Sequence, residues 1–113
     1  GAASVEQSSR PADAVAGAHA VHTDTWVSMG QEAEKQDRMA HFEGFRVDEA
    51  MMALADPNAV FLHCLPAYRG IEVAAEVIDG PQSVVVQQGH NRLHAARGAL
   101  AFLFGVRPSG NSR

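Results

Sequence analysis

The feature that most constrains the fold is an unbroken apolar run at residues 59–64, AVFLHC, with a proline shortly beyond it. A run of this length and character is typical of a β-strand covered on both faces, as in parallel sheets. Residues 83–86 repeat the pattern, and residues 19–24 predict another short strand. Because parallel strands are joined by helical crossovers, the chain is predicted to be an α/β domain with a mostly parallel sheet.

The segments between and after these strands carry helical signals. Pro11 near a helix start and Gly17 past its end suit a short first helix, and Glu34 and Arg38 suit a solvated second one. The predicted helices span residues 11–16, 31–40, 47–55, 72–77 and 91–104. The third has an apolar face of Val47, Ala50, Met51 and Leu54, and the last has a broad apolar stripe of Leu93, Ala96, Leu100, Leu103 and Phe104.

Length and composition restrict the class of protein. The chain has 113 residues, enough for one domain with a modest core, and its formal net charge of −4 favours neither nucleic acid nor an anionic membrane as a partner. No window approaches the ~18 apolar residues of a membrane helix, and no secretory leader opens the sequence. Cys64 is the only cysteine, so an intrachain disulfide is excluded and a reducing cytoplasm is expected.

Two of the predicted strands end in polar clusters. Residues 24–30 read DTWVSMG and residues 63–70 read HCLPAYRG. In open α/β sheets the binding crevice lies outside the carboxyl ends of the strands. Both clusters are therefore predicted to lie on the same rim of the sheet.

The first cluster suits an amino-acid ligand. Asp24 can pair with a ligand ammonium group, and Ser28 with the loop amides around Met29 can bond the polar groups of a zwitterion. Asp24 and Ser28 are equally suited to capping the helix that follows. The residues alone leave both interpretations open.

The second cluster centres on Cys64. A thiol beside a carboxylate could orient an amine nucleophile or help to take its proton, whereas a free cysteine after an apolar strand is also a common small buried hydrophobe. His63 is open to a structural or a functional interpretation. One cysteine with scattered histidines has no recognised metal-ligand spacing, so no metal site is predicted.

Two arginines are candidate anion contacts. Arg92 is predicted in the first turn of the last helix, where its guanidinium would join the helix N–H groups in a phosphate or carboxylate cradle. Arg69 is the second candidate, and either arginine could instead pair with a surface carboxylate. Trp26 either packs against the protein or covers a ligand, and His90 and His94 are predicted to be structural or solvated.

Four segments in this order, DTWVSMG, FLHCLPAYRG, EVIDGPQSVV and NRLHAARGAL, resemble the carboxyl-terminal part of ornithine carbamoyltransferase. The resemblance extends over roughly residues 10–105. It implies that residues 1–113 form a partial ornithine-binding domain, with a Rossmann-like three-layer α/β fold, without the amino-terminal carbamoyl-phosphate domain. The sequence departs from the family at Tyr68, where a histidine is frequent, and at His90, where an acidic residue is frequent.

The resemblance also implies roles for individual residues. Asp24, Ser28 and Met29 match positions that contact the amino and carboxylate groups of ornithine. Cys64 and Asp24 match the catalytic pair beside the reacting δ-amine, and the Leu65 carbonyl accepts a bond from the carbamoyl amide across an expected cis Leu65–Pro66 bond. The implied contacts of carbamoyl phosphate are His63, Cys64, Leu65 and Arg92.

The implied reaction transfers the carbamoyl group of carbamoyl phosphate to the δ-amine of L-ornithine, giving L-citrulline and phosphate in arginine metabolism. No metal or organic cofactor, no nucleic acid and no membrane is implied, and family members work as homotrimers. The chain by itself is expected to be inactive, because half a site can bind part of a ligand without stabilising the transition state. Two alternatives remain: a related carbamoyltransferase for another amine, such as putrescine or an acylated ornithine, and a truncated non-catalytic remnant.

Overall fold

The computed structural model describes residues 4–26, 39–42 and 44–106, and helices alternate with strands along them. This order confirms the predicted α/β class. The helix predicted at residues 31–40 lies almost wholly outside the described residues. The elements are α1 (Pro11–Val15), β1 (Ala20–Thr23), α2 (Glu49–Met52), β2 (Val60–His63), α3 (Ala75–Ile78) and α4 (Val85–Leu103).

Strands β1 and β2 form a parallel two-stranded sheet, with Ala20 opposite Val60 and Thr23 opposite His63. Phe61 is fully buried at the centre of the pair, and Val21 is buried beside it. Both strands end at the same edge because they run in the same direction and in matched register. Asp24 and Cys64, the next residue of each chain segment, are thereby brought to one rim.

The strand predicted at residues 83–86 is wrong. Ser83 makes an isolated parallel bridge with Phe61, flanked by two hydrogen bonds: Phe61 N–H donates to the Gln82 carbonyl at 2.8 Å, and Val84 N–H donates to the Phe61 carbonyl at 3.0 Å. The chain then turns directly into α4 at Val85. The strand preference of three consecutive valines is weak and depends on context, so the cooperative hydrogen bonding of a long helix outweighs it.

Helix α4 therefore begins earlier than the predicted start at residue 91, and it extends over 19 residues. Its apolar stripe is present but uncovered by the described residues: Leu93 is 59% exposed and Phe104 is 79% exposed. Val85 is the one residue of the helix that is buried among them. Val85, in the first turn, thus anchors α4 to the core.

The core packs around the sheet, and the apolar face predicted for the helix at residues 47–55 is partly wrong. Asp48 caps α2 by accepting the Met51 N–H at 2.9 Å, but the helix ends after one turn. The helical period does not continue past it, so Leu54 is 47% exposed. The buried apolar residues are Val21, Val47, Met52, Ala55, Ala59, Phe61, Val73, Val77, Ile78 and Val85. None of the helices in the described segments is long and apolar enough to cross a bilayer.

The substitution Phe61→Ala tests the position of this core. Removing a fully buried ring should lower the free energy of unfolding by roughly 3–5 kcal/mol, measured by urea unfolding of the 113-residue chain. Phe102→Ala is the matched control, because that ring is 83% exposed on α4 and its loss should change the same quantity by less than about 0.5 kcal/mol. Equal losses in the two variants would contradict the packing described here.

Candidate functional site

The two loops at the sheet rim meet in a hydrogen bond between Cys64 and Asp24. The Cys64 Sγ donates to the Asp24 Oδ1 at 2.8 Å, across 40 residues of sequence. The same carboxylate oxygen accepts the N–H of Thr25 at 2.7 Å. Asp24 is exposed and Cys64 is half-buried, so a ligand can reach both side chains.

The hydrogen bond moves the pKa of each partner in opposite directions. The Cys64 thiol, helped by the Thr25 N–H, lowers the pKa of Asp24, and the Asp24 carboxylate, helped by burial, raises the pKa of Cys64. Near neutral pH the site therefore holds a charged carboxylate beside a protonated thiol. The stability that the bond contributes is lost as pH falls through the lowered pKa of Asp24 and as pH rises through the raised pKa of Cys64.

The backbone after Cys64 has an uncommon conformation. Leu65 has a φ of 59°, in the left-handed region, and the Leu65–Pro66 peptide bond is cis, as the family resemblance implies. The Leu65 N–H donates to His63 Nδ1 at 2.9 Å. The ring of His63 is buried, unlike the side chains of Asp24, Cys64 and Arg92 at the rim.

Arg92 reaches the same rim from α4. Its Nη1 lies 3.4 Å from the carbonyl oxygen of Cys64, a long hydrogen bond. The prediction that Arg92 occupies the first turn of its helix is wrong, because α4 begins at Val85. Its guanidinium lies at the end of β2 without the free N–H groups of a helix start beside it.

Arg69 does not contribute a free charge to this rim. Its Nε and Nη2 donate to the two carboxylate oxygens of Asp79 at 2.7 and 2.6 Å, so the surface ion pair is the interpretation that holds. Trp26 stacks on Phe42 with ring centroids 5.4 Å apart, which is a packing contact.

Other predicted residues lie elsewhere or cannot be placed. His90 and His94 are exposed on α4. Ser28 and Met29 lie outside the described residues, as does the start of the helix that Asp24 and Ser28 were predicted to cap.

Sequence reasoning missed Gln88 and Glu72. The Gln88 Oε1 accepts the backbone N–H of His63 at 2.9 Å, and its Nε2 lies 3.4 Å from His22 Nε2, so it ties both strand ends to α4. Gln88 lies four residues before Arg92, and a helix that started earlier would have placed both on one face. No local signal identifies Glu72, a glutamate that the fold buries completely.

Asp24, His63 and Cys64 offer three potential metal-ligand atoms within 4.8 Å of one another. Two of these atoms already make hydrogen bonds: His63 Nδ1 accepts from the Leu65 N–H, and the Cys64 thiol donates to Asp24. The other ring nitrogen, His63 Nε2, is buried 3.3 Å from Glu72 Oε1. A cation would have to break these contacts and take the proton of a thiol whose pKa is raised. We therefore assign no metal to the cluster.

A family model described as aspartate/ornithine carbamoyltransferase, Asp/Orn binding domain, matches residues 1–103. The chain belongs to this family. The ornithine carbamoyltransferases of Caldicellulosiruptor saccharolyticus and Herminiimonas arsenicoxydans are 57% and 59% identical to it, each over 93 residues and 82% of the chain. These matches cover only 30% and 31% of the two relatives, so the chain spans less than a third of their length.

Solved structures agree with the sequence relatives. The anabolic ornithine carbamoyltransferase of Campylobacter jejuni superposes with a TM-score of 0.78 at 43% identity, over 86% of this chain and 32% of that one. An N-acetyl-L-ornithine transcarbamylase mutant complexed with PALAO superposes with a TM-score of 0.66 at 35% identity, over 81% of this chain and 28% of that one. The partial Rossmann-like α/β fold is thus confirmed.

The reaction of Cys64 with a disulfide reagent, followed as a function of pH, tests the Asp24–Cys64 contact. The midpoint of the rate profile should lie above that of an ordinary thiol, because Asp24 raises the pKa of Cys64. Asp24→Asn removes the negative charge and should move the midpoint to lower pH. Asp79→Asn, the same chemical change at a carboxylate paired with Arg69, should leave it in place; a profile unaffected by Asp24→Asn would refute the contact.

Proposed function

We propose that this chain is the ornithine-binding part of an ornithine carbamoyltransferase. The observation that carries the proposal is the 2.8 Å hydrogen bond between Cys64 and Asp24, which joins two distant loops at the rim where an α/β sheet binds ligands. Membership of the aspartate/ornithine carbamoyltransferase family supplies the class of reaction.

The proposed reaction is attack by the neutral δ-amine of L-ornithine on the carbonyl carbon of carbamoyl phosphate. A C–N bond forms, the bond between that carbon and the phosphate oxygen breaks, and the nitrogen gives up a proton, leaving L-citrulline and phosphate. The site must orient the amine, polarise the carbonyl and neutralise the leaving phosphate.

The residues of the rim divide these tasks between them. The Asp24 carboxylate accepts a hydrogen bond from the δ-amine and takes up its proton after the C–N bond has formed, when the attached nitrogen is strongly acidic. The Cys64 thiol stays protonated and holds the carboxylate in place. Leu65 offers its carbonyl to the carbamoyl amide, and Arg92 supplies positive charge to the phosphate.

The substrate's other end is assigned by the family resemblance. Ser28 and Met29 are proposed to bind the α-amino and carboxylate groups of ornithine, together with Asp24. His63 is proposed to act indirectly. Its ring is buried and does not touch the ligand, so the residue shapes the carbamoyl-phosphate side of the site through its backbone.

Ornithine is favoured over an acylated ornithine by the comparisons. The ornithine carbamoyltransferase of Campylobacter jejuni superposes better, with a TM-score of 0.78, than the N-acetyl-L-ornithine transcarbamylase, with 0.66. The loop that would discriminate the amine includes Ser28 and Met29, which match the ornithine enzymes. The working protein is proposed to be a cytoplasmic homotrimer of arginine metabolism that needs neither metal nor organic cofactor.

A non-catalytic remnant is the second candidate. It is favoured by the exposed apolar stripe on α4. Large apolar surfaces of this kind are association hazards in a free monomer. On either interpretation, the 113-residue chain alone should not turn over.

A chimera tests the proposal. Residues 4–106 would replace the matching segment of the Herminiimonas arsenicoxydans enzyme, and citrulline formation from ornithine and carbamoyl phosphate would be measured. The chimera should be active; Asp24→Asn should lower its kcat roughly 10²–10⁴-fold, the usual contribution of acid–base catalysis. Cys64→Ala should lower it roughly 10–100-fold, as loss of a charged hydrogen bond of about 1.5–3 kcal/mol predicts.

Three comparisons make this result decisive. Glu76→Gln alters an exposed carboxylate on α3 and should leave kcat unchanged, and the 113-residue chain alone should show no citrulline above background. A folded chimera that uses N-acetylornithine or putrescine in place of ornithine would establish the alternative of a related carbamoyltransferase for another amine. A folded chimera without turnover on any of these amines would establish the remnant.

A further inference from the structure

The cysteine loop, residues 64–68, is attached to a buried polar pair that the proposed chemistry does not use. His63 and Glu72 are the two buried residues with ionisable side chains in the described segments, and both side chains are fully inaccessible. Burying such groups costs free energy, and apolar residues of the same volume would usually serve stability as well. Their presence beside the site calls for a role other than stability.

His63 holds the amino end of the loop. The Leu65 N–H donates to its Nδ1 at 2.9 Å, so Nδ1 carries no proton and the proton of the neutral ring is on Nε2. Nε2 lies 3.3 Å from Glu72 Oε1. This distance is long, and neither His63 Nε2 nor Glu72 Oε2 has a hydrogen-bond partner among the described residues.

Glu72 holds the carboxyl end of the same loop. Its Oε1 accepts a short hydrogen bond from the Tyr68 N–H, and its own backbone carbonyl accepts the Val47 N–H at 3.0 Å. The residue is therefore fixed to the core through its main chain while its side chain reaches the loop. One carboxyl oxygen faces both the loop end and the histidine.

The backbone between these two contacts has an unfavourable conformation that the contacts stabilise. Leu65 has a φ of 59°, and the left-handed region is sterically unfavourable for a residue other than glycine. Its N–H is held by His63, which keeps it in that conformation. Cys64 lies directly between His63 and Leu65, so the direction of its thiol depends on both.

We propose that Glu72 and His63 form a buried positioning pair that holds the cysteine loop in its left-handed conformation and so places the Cys64 thiol against Asp24. The pair acts through the backbone of Leu65 and Tyr68 and touches no substrate. The role of the pair in catalysis rests on the proposed function. The placement of the thiol does not, because it can be measured without turnover.

The test compares substitutions of Glu72 by the pH profile of Cys64 toward a disulfide reagent in the intact protein. Glu72→Met fills the space but leaves the Tyr68 N–H without its acceptor, so the loop should relax and the profile midpoint should move to lower pH, toward an ordinary thiol. At pH 7 the rate should rise about threefold for each tenfold gain in thiolate, since nucleophilicity falls as thiolate becomes easier to form. Glu72→Gln keeps an acceptor and should keep the wild-type midpoint.

Two controls separate positioning from general loosening. Glu76→Met makes the same chemical change at an exposed glutamate of α3 and should leave the midpoint unchanged. In an Asp24→Asn background, Glu72→Met should shift the midpoint no further, because the contact it acts on is already lost. A further shift there, or an unchanged midpoint in folded Glu72→Met, would overturn the proposal.

If Glu72→Met does not fold, the histidine provides the same test. His63→Asn places an acceptor near the Nδ1 position, whereas His63→Gln places its polar group near the Nε2 position and leaves the Leu65 N–H without a partner. The profile of His63→Asn should stay closer to the wild type than that of His63→Gln. Equal, wild-type profiles in both variants would show that the Leu65 bond does not position the thiol.

Discussion

The parallel pairing of β1 and β2 is the constraint on which the candidate site depends. Each strand is four residues long, and its side chains alternate between the two faces of the sheet. A slip of the pairing by one residue would therefore move every side chain to the opposite face and separate the two loop ends. With Thr23 opposite His63, Asp24 and Cys64 leave the sheet side by side. Their hydrogen bond is thus a consequence of strand register, which the burial of Phe61 and Val21 specifies.

The molecule divides its interior between apolar and polar functions. The core around Phe61 holds the sheet together, while a chain of polar contacts through Gln88, His63 and Glu72 fixes the loop that carries the thiol. The apolar core depends on side-chain volume and burial, so it tolerates substitution by other apolar residues of similar volume. The polar contacts depend on individual donors and acceptors. Removing one partner leaves the other buried without a hydrogen bond, which is energetically costly.

Much of the site could be predicted from the sequence because its residues follow strands directly. The apolar run at residues 59–64 and the polar cluster after it placed Cys64 at the rim, and the same reasoning placed Asp24 there. The two wrong predictions, a strand at residues 83–86 and a covered stripe on the last helix, have a common cause. A pattern of β-branched or apolar residues does not reveal which surface another part of the protein will cover. Val85 and Val86 begin a helix instead of forming a strand, and the stripe on α4 stays exposed among the described residues.

Glu72 shows the limit of sequence reasoning most clearly. The sequence around Glu72 has no signal that the glutamate is buried, and its role follows only from its three-dimensional contacts with Tyr68 and His63. Arg92 shows a related limit, since moving the start of α4 to Val85 changes its surroundings without changing its sequence. Position along an element is less predictable than the existence of the element.

The most direct measurement of the central claim is the titration of the Asp24 carboxyl carbon by 13C NMR, in the wild type and in Cys64→Ala. Because the thiol is the main cause of the lowered pKa of Asp24, the wild-type midpoint should lie below that of an ordinary aspartate. Removing the thiol should raise it toward the ordinary value. An identical midpoint in the two proteins would show that the carboxylate and the thiol do not meet, and would contradict the site described here.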